Sequence, residues 1–302
     1  MRVFVAGGTG FVGRYVVGEL EKVGYEVVLG VRTPRDTHLP TAVIDLGDRA
    51  SIKRVLEEYR VEVVVYLVGI LYELKSQGQT FEKLHYFYPI NLYECARELG
   101  ISRVLHMSAL GTDDEAPSRY HQTKRWAERY LMESGLTYTI FRPSLILGPE
   151  QRLLRDMDKL TKYVPVVALP GGGGYKFQPV DVRDVAGCFA KALQDELTGI
   201  YELCGDREVS FKELLRDIFS FLGRKVLMVP LPKGLMYYLG KLVETVVEPP
   251  PFSSDQILMM WRDNVCFSGG VKRILGREPI PYEESLRWAL EGYKTMTSES
   301  DS

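Results

Sequence analysis

Two groups of residues in this chain of 302 are spaced for chemistry. The first is Gly7-Gly8-Thr9-Gly10-Phe11-Val12-Gly13, whose glycines at 7, 10 and 13 follow a short apolar run and open a segment of helical period. Glycine at those positions lets the turn be tight, lets backbone N–H groups approach a pyrophosphate, and lets helix pack close to strand. A glycine triplet by itself says little, but one set between strand and helix at the head of an alternating chain reads as a dinucleotide cradle. The second group is Tyr120-His121-Gln122-Thr123-Lys124. On a helix the i,i+4 spacing puts the Tyr120 phenol and the Lys124 ammonium on one face. An ammonium there favours phenolate and can also hold a ribose hydroxyl, so Tyr120 is placed as a general acid or base with Lys124 as its electrostatic partner.

The choice between the nicotinamide cofactors is set after the second strand, where an acidic residue would accept the ribose hydroxyls. Leu29-Gly30-Val31-Arg32-Thr33 has no such acid. It offers Arg32 and Thr33, a guanidinium and a hydroxyl suited to a 2′-phosphate, and so favours NADP(H) over NAD(H). Asp45 and Leu46, at the end of the third strand, are expected to flank the adenine, and Val68-Gly69, after the fourth, to let backbone approach the ribose. His38, His85, His106 and His121 show neither i,i+4 spacing nor cysteine neighbours, so no metal is expected. Cys95, Cys188, Cys204 and Cys266 lie far apart with no C-x-x-C pair and read as reduced core residues.

These groups need a scaffold, and the chain has material for one: 45% apolar and 26% charged residues, with a formal net charge of −2. That balance gives no basic stripe and argues against nucleic acid as a partner. Strands are expected at Arg2–Ala6, Glu26–Val31, Ala42–Asp45, Val63–Leu67, Arg103–Met107 and Tyr138–Arg142, several almost wholly apolar, as strands covered on both faces are. Helices are expected between them at Phe11–Val23, Ala50–Tyr59, Tyr88–Leu99 and Arg119–Ser134. This is an α/β chain with a doubly wound parallel sheet. The binding domain is expected over 1–148 and a smaller, helix-rich lobe over 149–302, with 175–205 returning in part to the sheet and 297–302 frayed. Met1 leads straight into the first strand, with no room for a secretory leader, and no run reaches the roughly 18 apolar residues of a membrane span. A cytoplasmic protein is expected.

At these residues the chain resembles the short-chain dehydrogenase/reductase superfamily, in particular its extended branch. The resemblance rests on Gly7–Gly13, Tyr120 with Lys124, Phe141-Arg142-Pro143 with Gly148-Pro149, and Pro179-Val180-Asp181-Val182-Arg183-Asp184. It implies a Rossmann sheet, with Arg142-Pro143 beside the nicotinamide. Active members add a Ser or Thr that polarises the substrate carbonyl and an Asn that anchors a relay water. Here the polarising position falls on Ala109, with Ser108 just before it, and the relay position on His85. That pattern is similar to the atypical subgroup containing the nucleotide-binding accessory subunit of respiratory complex I and its bacterial relatives. His106-Met107-Ser108-Ala109-Leu110-Gly111, Val229-Pro230-Leu231-Pro232 and Asp263-Asn264-Val265 extend the likeness over most of the chain. The resemblance implies a tightly held, structural NADPH and association with respiratory-complex subunits or the inner face of a membrane. The competing expectation is an active reductase or sugar-nucleotide epimerase/dehydratase using Tyr120 as acid/base and Ser108 as polariser. In the C-terminal lobe, Leu235, Leu239, Leu242, Val243 and Val246 recur at helical spacing. They mark either a face packed on the lobe's own core or, with Met236, Tyr237 and Tyr238, one that docks on a partner or membrane.

Overall fold

Short β-branched runs become strands because their side chains can be buried on both faces of a sheet, and Val3, Phe4, Val5, Val64 and Val65 are fully buried. In the computed structural model, which describes residues 1–300, these strands are β1 (Arg2–Ala6), β2 (Glu26–Val31), β3 (Thr41–Val43), β4 (Val63–Tyr66), β5 (Arg103–Met107) and β6 (Thr137–Pro143). Their order is β3-β2-β1-β4-β5-β6, with the strand Gly199–Leu203 added beside β6. The pairings from β3 to β6 are all parallel. The strand order therefore reverses between β1 and β4, and in sheets of this kind ligands bind beyond the C-terminal ends of the strands at that point.

The crossovers are α1 (Phe11–Lys22), α2 (Arg49–Glu58), α3 (Tyr88–Glu98) and α4 (Arg119–Glu133). Two begin at side-chain caps: Asp48 accepts from Ala50 N–H at α2, and Ser118 accepts from His121 N–H at α4. Arg103 braces the far edge, donating to Thr139 Oγ1 at 2.8 Å and to the Leu197 carbonyl at 2.7 Å. One element was not expected. Residues Glu82–Phe87 form a π-helical turn that runs directly into α3. A π-turn widens the helix by one residue and redirects a side chain, a device common at functional sites.

The chain divides into two compact units, one of residues 1–143 with 185–202, the other of 144–184 with 203 onward. The second has its own core, including Leu147, Leu154, Leu169, Leu214, Ile218, Ala289 and Leu290. Its helix Phe211–Phe221 starts at a capping box between Ser210 and Glu213. The apolar stripe on helix Lys233–Val246 does not face this core. Met236 and Gly240 are the buried residues, with Gly240 packed on the Ser253-Ser254 backbone, whereas Leu235, Leu242 and Val246 lie on the exposed side. Two further expectations need correction. Cys204 and Cys266 are joined in a disulfide across a separation of 62 residues, a pairing set by tertiary proximity that spacing could not reveal; Cys95 and Cys188 are buried thiols. The terminal helix Tyr282–Ser300 continues through 297–300, and residues 301–302 of the expected frayed tail lie outside the described residues. Among the described residues no helix is long and apolar enough to cross a membrane.

Candidate functional site

Where β1 ends, Gly7 takes φ +85°, a conformation that a side chain would strain, and Gly10 N–H closes the turn on the Gly7 carbonyl at 3.1 Å. Gly13 packs against that turn so closely that a Cβ would lie 2.1 Å from Gly7 O. Gly10 is different, because a Cβ there would meet Gly7 O at 3.3 Å and is otherwise unopposed. As the N-cap of α1, Gly10 brings no capping side chain, and the first turn of α1 contains no acid. The helix start is thus left without a capping side chain or an acid at its positive end, the arrangement that receives a pyrophosphate. Phe11 is half-buried, Val12 is buried, and Thr9 sits at the rim with its carbonyl accepting from Arg14 Nε at 3.3 Å.

Arg32 and Thr33 follow β2 directly and are exposed. The β1–β2 register pairs Ala6 with Gly30, so Arg32 emerges two residues further along, at the level of the glycine turn. The third strand is shorter than expected, ending at Val43, which leaves Asp45 in a turn. The Asp45 carboxylate accepts from Gly47 N–H at 2.8 Å, a local bond that competes with the ladder, and the Leu46 carbonyl accepts from Asn91 at 3.0 Å. Val68 and Gly69 lie past the end of β4, where a Cβ on Gly69 would stand 3.6 Å from both His85 Nε2 and Lys124 Nζ.

Helix α4 brings Tyr120 and Lys124 to one face, with the Lys124 ammonium 5.3 Å from the centre of the Tyr120 ring. Lys124 is buried; its nitrogen donates to the Met107 carbonyl at 3.4 Å, and desolvation lowers its pKa to about 8, opposed in part by Glu128. Ser108 follows β5 and is buried, its hydroxyl donating to Thr112 Oγ1 at 3.5 Å. Ala109 beside it is also buried, and the Pro143 carbonyl, ending β6, accepts from Leu110 N–H at 2.9 Å. Arg142 is committed to Glu128, which is fully buried and takes two bonds from that guanidinium and a third, longer one from Arg125.

His85 carries the most information. The π-turn places its ring edge-on to Tyr120 at 5.2 Å and stacked on Phe81 at 5.4 Å. Ile70 N–H donates to His85 Nε2 at 3.1 Å, so that nitrogen bears no proton. The proton is therefore on Nδ1, which donates to Thr123 Oγ1 at 3.2 Å. The Thr123 hydroxyl in turn donates to the backbone of α4 at Arg119 or Tyr120. Burial holds His85 well below its ordinary pKa, helped by the nearby Lys124 charge, so the ring stays neutral. Sequence reading singled out His85 but missed Ile70 and Thr123, whose roles depend on a π-turn with no local signature.

A profile of the NAD dependent epimerase/dehydratase family matches residues 3–204. The mitochondrial NADH dehydrogenase [ubiquinone] 1 alpha subcomplex subunit 9 of Arabidopsis thaliana is 30% identical over 291 residues, covering 89% of this chain and 71% of that protein. The same subunit of Rattus norvegicus is 27% identical, covering 96% of this chain and 80% of that protein. Among solved structures, the Thermus thermophilus UDP-glucose 4-epimerase in complex with NAD superposes with a TM-score of 0.75 at 22% identity, covering 97% of this chain and 99% of the other.

Proposed function

Since the chain belongs to the NAD dependent epimerase/dehydratase family, within the short-chain dehydrogenase/reductase superfamily, we propose that it binds NADP(H) and keeps it as a structural or regulatory group rather than turning it over. The observation that carries this reading is His85. In the position where an active member would place a relay Asn, both ring nitrogens are used within the chain, which leaves neither to pass on a proton. Ala109 at the polarising position supports it, since a methyl group cannot donate to a carbonyl.

In this reading Gly7, Thr9, Gly10, Phe11, Val12 and Gly13 receive the pyrophosphate, Arg32 and Thr33 the 2′-phosphate, and Asp45 and Leu46 the adenine. Val68, Gly69 and Lys124 hold the ribose next to the nicotinamide, and Pro143 abuts its ring. When bound, the nicotinamide supplies a hydride donor or acceptor; the chain's part is to orient it and exclude water. The mitochondrial relatives named above are subunits of NADH dehydrogenase, which supports association with a respiratory assembly; a cytoplasmic protein peripheral to the inner face of a membrane is part of the same proposal. The alternative, a reductase or epimerase working through Tyr120, is favoured by one observation: Lys124 stands beside Tyr120 with a pKa lowered to about 8, in the range useful for proton transfer.

Thermal melting with each cofactor tests the first reading. NADPH at one hundred times its Kd is expected to add about 2.7 kcal/mol of stability. No stabilisation by NADPH or NADH would overturn it. Cofactor oxidation by a carbonyl or nucleotide-sugar substrate that disappears in Tyr120→Phe would favour the alternative.

A further inference from the structure

Resting on the peripheral-membrane part of the reading above, we propose that the second unit docks on an anionic lipid surface through helix Lys233–Val246 and the strand pair that leads into it. On that helix Leu235, Tyr238, Leu239, Leu242 and Val246 recur every three or four residues, and all are exposed. The helix buries a different side, where Met236 is covered and Gly240 packs on the Ser253-Ser254 backbone. A second apolar cluster stands where strand Val166–Pro170 pairs with strand Leu227–Leu231. There Leu160, Tyr163, Val164, Val166 and Leu227 are exposed, with Val166 opposite Leu227 and the Pro165 carbonyl accepting from Leu227 N–H at 2.9 Å. Tyr163, Tyr238 and Val246 are 80%, 70% and 74% exposed, so they stand in water rather than at the edge of a core. Clustered exposure of this kind marks an interaction surface.

Charge identifies what covers it. Residues 159–180 and 218–243, which carry both clusters, contain seven lysines and arginines and no acid. Three of these cations are engaged: Lys176 with Glu208, Arg224 with Asp158, and Lys233 with the Met260 carbonyl. Lys159, Lys162, Lys225 and Lys241 form no ion pair among the described residues; Lys162 lies over the Tyr163 ring at 5.9 Å and Lys241 over the Tyr237 ring at 4.8 Å. The acids that border the two runs are occupied, Asp158 by Arg224, Asp181 by Arg183, Asp217 by Tyr282 and Glu244 by Ser254. A protein partner is the poorer match, because interfaces between proteins are depleted in lysine, and the one arginine of these runs is already committed. A lipid surface takes this combination: leucines enter the acyl boundary, tyrosine rings sit at the level of the headgroups, and flexible lysine stems carry their ammonium to phosphate.

The test is flotation of the full chain with vesicles of phosphatidylcholine alone and of phosphatidylcholine mixed two to one with phosphatidylglycerol. Wild type is expected to bind the anionic vesicles about tenfold or more tightly than the neutral ones, and to leave them as salt rises. The pair Tyr238→Gln with Leu242→Gln, and the pair Tyr163→Gln with Leu227→Gln, should each weaken that binding by about tenfold or more. Lys159→Gln, Lys225→Gln and Lys241→Gln should each weaken it by about fivefold. These positions are exposed, so the melting temperature should hold, and Ile200→Thr, at an exposed apolar position of the first unit, should leave vesicle binding unchanged. Equal binding to neutral and anionic vesicles, or wild-type binding in both double variants, overturns the proposal. So does a self-associated chain that the same substitutions dissociate, since a second copy would then cover the face. Fractionation of native cells separates this surface from the reading it rests on. A chain that sediments with native membranes yet ignores phosphatidylglycerol vesicles keeps the peripheral reading and overturns the lipid surface alone; a chain that does neither overturns both.

Discussion

The turn around Gly10 and the turn around His85 treat their polar groups in opposite ways. At Gly10 no side chain caps α1, no acid sits in its first turn, and the space a Cβ would take is open apart from one carbonyl. At His85 the ring accepts from Ile70 N–H, donates to Thr123, and is packed between Phe81 and Tyr120. The first region leaves its hydrogen bonding to solvent or a ligand; the second completes its own. In the proposed reading, a turn that receives phosphate beside a relay position closed on itself suits a cofactor that stays bound.

Substitutions at the two regions should separate, and the largest contrast lies within the glycine turn itself. Gly13→Ala forces a methyl against the backbone at Gly7 and Gly8 and should cost several kcal/mol, read as loss of a cooperative denaturation curve. Gly10→Val should leave the free protein within about 1 kcal/mol of wild type yet abolish stabilisation by NADPH. Equal damage from both would mean that Gly10 serves the fold rather than a ligand.

His85→Ala comes next. It strands the Ile70 N–H, takes away the donor to Thr123 Oγ1 and leaves a cavity, so urea unfolding should show a loss of roughly 2–4 kcal/mol. If His85 were a free relay group, its removal would change stability little.

Lys124→Met should move the other way. An ammonium kept in a desolvated place is unfavourable, so the free protein should gain on the order of 1–3 kcal/mol while NADPH binding weakens. The sign of the pH effect follows from the same burial. With a native pKa of about 8 against 10.5 for the exposed group, the native state binds fewer protons between those values. Below about 8 the full penalty is present, and wild-type stability should rise from about 8 to 10.5 relative to Lys124→Met. Matching pH profiles in the two proteins would show that Lys124 is not desolvated. The smallest effect is expected from Tyr120→Phe, which should alter NADPH-dependent stabilisation by less than about 0.5 kcal/mol, since the phenol is not needed to hold a cofactor.

Much of the sheet could be read in advance because its signals are local. The runs Arg2–Ala6 and Arg103–Met107 are apolar enough to be strands wherever they fall, and the Ser118 cap announces α4 within one turn. The glycine turn was readable for the same reason, since Gly10 and Gly13 answer to Gly7 and Gly8 within six residues of chain. What escaped depends on distance along the chain. Thr123 meets His85 across 38 residues, Arg142 on β6 reaches Glu128 on α4, and Cys204 meets Cys266 across a separation of 62. The stripe on Lys233–Val246 is a subtler case: its spacing was correct, but periodicity tells that a face exists and not which face is covered.

The central claim is retention of the cofactor, and the most direct measurement is the nucleotide content and redox state of the protein purified from its own cells. Close to one NADPH per chain is expected, released only on denaturation, with a near-ultraviolet absorbance that persists during incubation with aldehydes, ketones, quinones and nucleotide sugars. Nucleotide-free protein, or an absorbance that falls steadily with one of those substrates in wild type but not in Tyr120→Phe, would contradict it.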